Sequence, residues 1–136
     1  MIESQEIAKN RLQEFGVKLS FQRIAIMDFL LKNPIHPTVD VIFSNLYPSI
    51  PTLSKTTVYN TLKLFEEHKV IHPILIDEKN VRYDANIIPH AHFKCKNCQQ
   101  IMDIPIGHVN DLINKSEHDI IDCHIYYYGY CEKCRK

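Results

Sequence analysis

SKTTVYNTLKLFEEHKVIHPILIDEKNVRYDA, residues 54–85, decides the fold. Ser54 reads as an N-cap, because its hydroxyl can accept from backbone N–H groups that a first helical turn leaves unpaired. Val58, Leu62 and Phe65 then recur at helical spacing, so KTTVYNTLKLFEEHKV is expected to bury one stripe. VIHPILID and NVRYDA follow as short β-rich runs separated by the turn-like Asp77–Asn80, the pattern of a hairpin. A helix running into a hairpin is the recognition helix and wing of a winged helix-turn-helix, provided that helices precede it.

They do. Residues 3–15 place Ile7, Leu12 and Phe15 at roughly helical spacing, with Gly16 as a C-cap. Ser20 caps FQRIAIMDFLLKN, whose Ile24, Met27, Leu30 and Leu31 form an apolar stripe. Pro34 and Pro37 end that helix and bracket His36 in a short loop. Thr38 caps VDVIFSNLY, which stops before Pro48. The expected winged-helix domain covers residues 1–84.

Composition shifts near Ala85. Residues 85–90 read as a hinge, and residues 91–136 as a small second domain. HAHFKC and QQIMDIP are predicted strands around Cys95–Cys98, Gly107–Glu117 a helix, and Asp119–Tyr128 a β-rich run. The expected class is α+β. So small a unit has little core of its own, and a metal staple is the usual remedy.

The staple is written in CKNC and CEKC, which supply Cys95, Cys98, Cys131 and Cys134. Two sulfurs of one C-x-x-C turn can reach one ion, and four thiolates make the closed tetrahedral site that Zn²⁺ favours. The alternative is two buried or redox C-x-x-C pairs, but a thioredoxin-like motif occurs once and opens a helix. Cys123 is left over and is expected to be a small buried strand residue; a reactive thiol is the alternative.

Composition sets bounds on function. The chain has 136 residues, 45% of them hydrophobic, and its 16 basic and 16 acidic side chains cancel. No general electrostatic pull toward phosphate follows, so any DNA binding must come from a local patch. Lys9, Arg11, Lys18 and Arg23 share their stretch with only Glu14, and Ser54–Phe65 carries Lys55 and Lys63 with no acid. Thr56, Thr57, Tyr59, Asn60 and Lys63 are candidates for base or phosphate contact, and Lys18 and Arg23 for clamping phosphate. Tyr59 packing against the wing is the alternative. Apolar runs fall far short of the roughly 20 residues of a membrane span, and MIESQEIAKN has no signal-peptide core. A cytoplasmic location without membrane attachment is expected.

His90 and His92 lie two apart in a predicted strand and so share a face. Asp84 ends the wing, Asp103 ends the strand after the cysteine turn, and His36 sits in its proline-fixed loop. Singly, each has a plain explanation as an exposed polar or turn-closing residue.

The succession QR, HPT, TTVYNTL, VRYD, HAHFKCKNC, IMDI and YGYCEKC resembles the ferric uptake regulator family over essentially the whole chain. The resemblance implies a homodimeric, metal-dependent repressor with an N-terminal winged helix and a C-terminal α/β dimerisation domain. It implies a regulatory Fe²⁺ or Mn²⁺ site formed by His36, Asp84, His90, His92 and Asp103, beside the structural Zn²⁺. A dimer would present two recognition helices, so the double-stranded DNA operator should be an approximate inverted repeat. Aspartate at 103 resembles the peroxide-sensing branch, where glutamate would suit an iron-uptake regulator. That branch implies sensing through oxidation of His36 or His90. The alternatives are an iron- or zinc-uptake regulator of the same family and, from another class, a metal-dependent enzyme. No catalytic residues are assigned. Some relatives have a further metal site, but the matching positions here are Pro89, Ala91 and Cys123, so that site is expected to be absent. His124 should face the other side of its strand, and His68, His72, His108 and His118 are treated as surface or packing residues.

Overall fold

Three of the helices begin where a hydroxyl captures a backbone N–H of the first turn. The computed structural model describes residues 2–77, 79–86, 90–106, 117–120 and 123–135. In it α1 spans Ile2–Glu14, α2 Phe21–Lys32, α3 Val39–Leu46 and α4 Lys55–Glu67. Ser20 Oγ accepts from Arg23 N at 3.2 Å, Thr38 Oγ1 from Val41 N at 3.3 Å and Ser54 Oγ from Thr57 N at 3.0 Å. These are the three caps predicted, each contributing about 1 kcal/mol.

Two helices stop by the same device. After α1, Gly16 takes φ 76°, Val17 N donates to Leu12 O at 2.9 Å and Gly16 N to Gln13 O at 3.1 Å. This is the Schellman motif. After α4, Val70 N donates to Phe65 O and Lys69 N to Glu66 O, both at 3.0 Å, with Lys69 at φ 65°. A side chain in this left-handed region costs about 1 kcal/mol, which a glycine would not. His68 Nδ1 lies 3.0 Å from Phe15 O and ties the two helix ends together.

Leu12, Ile26, Met27, Ile42, Val58, Leu62 and Phe65 are fully buried and form the centre of the helical core, with Leu30 almost as deep. Ile24 and Leu31 pack at its edge. Ile7 departs from expectation: it is 60% exposed, and Ala8 takes the core position. Spacing alone left the two phases of α1 close together, and the neighbouring helix selects Ala8, whose small side chain permits close approach.

Strand β1 (His72–Ile74) pairs antiparallel with β2 (Arg82–Asp84), His72 opposite Asp84, and forms the wing. Tyr83 N donates to Pro37 O at 3.0 Å, which fastens the wing to the loop before α3.

The chain divides into two compact units, Met1–Ile87 and Ile88–Lys136. In the second, β3 (His90–Cys95) is central, with β4 (Ile101–Pro105) antiparallel on one side and β5 (Tyr126–Gly129) parallel on the other. Of the predicted run Asp119–Tyr128, residues 121–122 lie outside the described residues. Among the described ones, His92 N donates to Ile125 O at 3.0 Å and strand structure follows from Tyr126. Residues 87–89 of the predicted hinge and 107–116 of the predicted helix Gly107–Glu117 lie outside the described residues. No helix among the described residues is long and apolar enough to cross a membrane.

Candidate metal centres and nucleic-acid face

The parallel pairing of β3 with β5 sets Cys95 opposite Gly129, so the turns that follow both strands meet at one end of the sheet. Cys95 and Cys98 come from the first turn, Cys131 and Cys134 from the second. Their sulfurs all lie within 4.8 Å of one another, and Cys98 Sγ is 3.9 Å from Cys131 Sγ. Sulfurs at the zinc bond length, tetrahedrally arranged, would be about 3.8 Å apart. Cys131 N and Cys98 N both point at Cys95 Sγ, at 3.4 Å and 3.5 Å. These two N–H groups favour the thiolate and lower the Cys95 pKa to about 6. Cys134 is pushed up to about 11: Asn97 favours its thiolate, but the Cys131 thiol, burial and the other two sulfurs outweigh that. A divalent cation bound here would displace the thiol protons. Donor type, number and spacing all fit zinc. Gln99 completes the first turn at φ 67°, its N–H donating to Cys95 O at 3.0 Å.

The second cluster of this unit grows from strand alternation. His90 and His92 share a face of β3, and Asp103 lies directly opposite His92 on β4. His90 Nε2 is 3.1 Å from His92 Nε2. Asp103 Oδ1 is 3.4 Å from the first and 3.5 Å from the second. Ligands about 2.1 Å from one ion sit roughly 3.0–3.4 Å apart. Two imidazoles and a carboxylate converging on one point offer a mixed nitrogen and oxygen donor set that suits Fe²⁺ or Mn²⁺. Tyr126 of β5 flanks the His92 ring, centroids 6.2 Å apart.

In the first unit His36 and Asp84 are both buried, with His36 Nε2 3.7 Å from Asp84 Oδ2. His36 sits at φ 56°, a conformation few non-glycine residues adopt. Asp84 Oδ1 accepts from Asn86 N at 2.8 Å, which fixes the other oxygen toward His36.

The predicted nucleic-acid residues gather on one face of the same unit. Lys18, Arg23, Thr57, Tyr59, Asn60 and Lys63 line an open groove of about 820 Å³. Thr56 is exposed on the same helix but does not line it. Arg23 Nη1 donates to Lys18 O at 2.7 Å, holding the two basic residues together. Lys63 Nζ stands 5.9 Å from the Tyr59 ring centre, and Tyr59 is half exposed rather than packed away. Thr57 Oγ1 is 2.9 Å from Ser54 Oγ, so its hydroxyl serves the helix cap. Two other basic candidates have structural partners. Arg11 donates to Ala85 O at 3.1 Å, and Lys55 pairs with Asp40 at 3.2 Å.

Cys123 is exposed and precedes β5, against the expectation of a buried strand residue. His124 likewise precedes the strand, its ring 6.3 Å from that of Tyr126. Of the three positions matching a further metal site, Ala91 is buried and offers no ligand atom, and Pro89 lies outside the described residues, as does His108. Sequence reasoning missed Arg82, whose Nη1 donates to His36 O at 3.2 Å. Its position two residues before Asp84, on the same face of β2, was the available signal.

A winged helix in one unit, with metal-competent Cys₄ and His/Asp clusters, defines a metal-linked DNA-binding regulator. The sequence profile described as "Ferric uptake regulator family" matches residues 14–128. The chain belongs to the ferric uptake regulator family, whose members are metal-dependent regulators that bind DNA as dimers. A peroxide-responsive repressor, PerR, of Staphylococcus aureus is 30% identical over 128 residues, spanning 91% of this chain and 86% of the relative. The structure of the ferric uptake regulator from Francisella tularensis with iron is 27% identical, with TM-score 0.72, and the match covers 90% of this chain and 97% of that one. A structure of PerR from Streptococcus pyogenes, solved for peroxide sensing and gene regulation, is 25% identical with TM-score 0.54, covering 97% and 93%.

Proposed function

We propose that this protein is a cytoplasmic, homodimeric transcriptional repressor that senses hydrogen peroxide at a regulatory Fe²⁺ site and ignores it when that site holds Mn²⁺. The carrying observation is the convergence of His90 Nε2, His92 Nε2 and Asp103 Oδ1 within 3.1–3.5 Å of one another. Similarity to the peroxide-responsive repressor of S. aureus supports the choice of branch.

In this reading Cys95, Cys98, Cys131 and Cys134 hold structural zinc. His36 and Asp84 of the winged-helix unit join His90, His92 and Asp103 as ligands of the regulatory ion. A single ion bonded to both units would fix the hinge over residues 85–90, and it favours the DNA-competent arrangement only by its differential affinity for that state. Lys18 and Arg23 clamp phosphate, and Thr56, Thr57, Tyr59, Asn60 and Lys63 of α4 meet the major groove. Two copies read an approximate inverted repeat.

Bound Fe²⁺ would supply the one-electron chemistry that makes peroxide a local oxidant. His36 and His90 are the targets because their imidazoles would stand beside the ion, and oxidation of either removes a ligand and frees the hinge. Zinc shields four of the five cysteines, which argues against disulfide sensing. Mass spectrometry of the Fe²⁺ protein after mild peroxide tests this. One added oxygen on the peptide containing His36 or His90, with zinc retained, is expected. Unmodified histidines with oxidised cysteines and released zinc would overturn it.

A further inference from the structure

We propose that Arg82 is a positioning residue that couples the wing turn to His36, an inference that rests on reading His36 as a ligand of the regulatory ion. Its guanidinium reaches in two directions. Nη1 donates to the main-chain carbonyl of His36 at 3.2 Å, and Nη2 lies 3.4 Å from Asp77 Oδ2. Asp77 in turn accepts from Lys79 N at 3.0 Å through its other oxygen. A chain of bonds therefore runs from the wing turn, through Asp77 and Arg82, to the backbone of His36.

The geometry requires such a support. His36 holds φ 56° in the left-handed region, and a backbone of that kind persists only where its surroundings over-determine it. Two bonds from adjacent residues of β2 do this: Tyr83 N to Pro37 O at 3.0 Å and Arg82 to His36 O. Strand alternation puts Arg82 on the face of β2 that also carries Asp84, so one strand supplies both the carboxylate and the support for the imidazole. A guanidinium this near a cation site would repel the ion unless compensated, and the Asp77 carboxylate compensates it. The rigid planar fork of a guanidinium holds a carbonyl and a carboxylate at fixed separation; an ammonium carries the same charge without that geometry.

Coupling of this sort is reciprocal: order at the wing turn should favour metal binding, and metal binding should order the wing. Mn²⁺ titration of the full zinc-loaded chain tests it. Arg82→Lys preserves charge and should weaken Mn²⁺ binding roughly tenfold, the range for one charge-assisted hydrogen bond. Asp77→Asn, which leaves Arg82 in place, should also weaken it. Zinc content should stay at the parent level in both. In the metal-free chain, the Tyr83 amide should exchange faster in Arg82→Lys than in the parent. In a His36→Ala background, Arg82→Lys should have no further effect on Mn²⁺ affinity, which a merely structural role would not predict. Parent-like Mn²⁺ affinity in both Arg82→Lys and Asp77→Asn, or an undiminished effect without His36, overturns the coupling. Unchanged Mn²⁺ affinity in His36→Ala alone would instead overturn the ligand assignment on which it rests.

Discussion

The two units solve the same problem with different materials. The winged-helix unit buries a core of Leu12, Ile26, Met27, Ile42, Val58, Leu62 and Phe65, all fully inaccessible. In the second unit, the buried apolar side chains among the described residues are Ala91, Cys95 and Cys131. Two of these three belong to the Cys₄ cluster whose donors and spacing fit zinc. One unit is held by apolar area, each large side chain contributing about 2 kcal/mol or more; the other, among its described residues, buries little such area and carries a Cys₄ cluster that fits a metal.

The contrast gives graded predictions. Cys95→Ser should have the largest effect. Structural zinc is worth on the order of 10 kcal/mol in small domains, so zinc content and amide protection in β3–β5 should both collapse, while α1–α4 stay protected. Zinc analysis with hydrogen exchange checks this, and retained protection in β3 would break the comparison. Phe65→Ala is the mirror experiment. It should cost about 4 kcal/mol in the winged-helix unit, read by chemical denaturation, and leave zinc content untouched. Asp103→Ala should lower Mn²⁺ affinity by one to two orders of magnitude without moving the zinc or the thermal midpoint of the first unit. Lys69→Gly, the smallest, should raise the stability of the first unit by about 1 kcal/mol, because it relieves a left-handed side chain at the end of α4.

Where the sequence was legible, local physics determined the outcome. Ser20, Thr38 and Ser54 cap their helices as predicted because a cap needs only neighbours three residues on. Each C-x-x-C pair was legible because two sulfurs three residues apart share one turn, although it is the β3–β5 pairing that brings the two pairs together. The readings that failed needed tertiary information. Ile7 gave way to Ala8 because the partner helix, not the spacing, selects the buried phase. Arg11 reads as part of a basic patch but serves Ala85 O, a residue 74 positions away. Cys123, expected to be a buried strand residue, is exposed and precedes β5. Lys69 and Gln99 adopt left-handed backbones with no glycine to announce them, and no local pattern predicts those. His36 was assigned a metal role only through family resemblance; nothing in its own segment distinguishes it from a loop histidine.

The central claim is that one regulatory ion acts on both units through His36. Small-angle scattering of the zinc-loaded chain, before and after Mn²⁺, in the parent and in His36→Ala, tests it most directly. The account predicts that Mn²⁺ changes the scattering profile of the parent and enables operator binding, and does neither in His36→Ala, with equal zinc in both. A His36→Ala protein that responds to Mn²⁺ and binds DNA like the parent would contradict it.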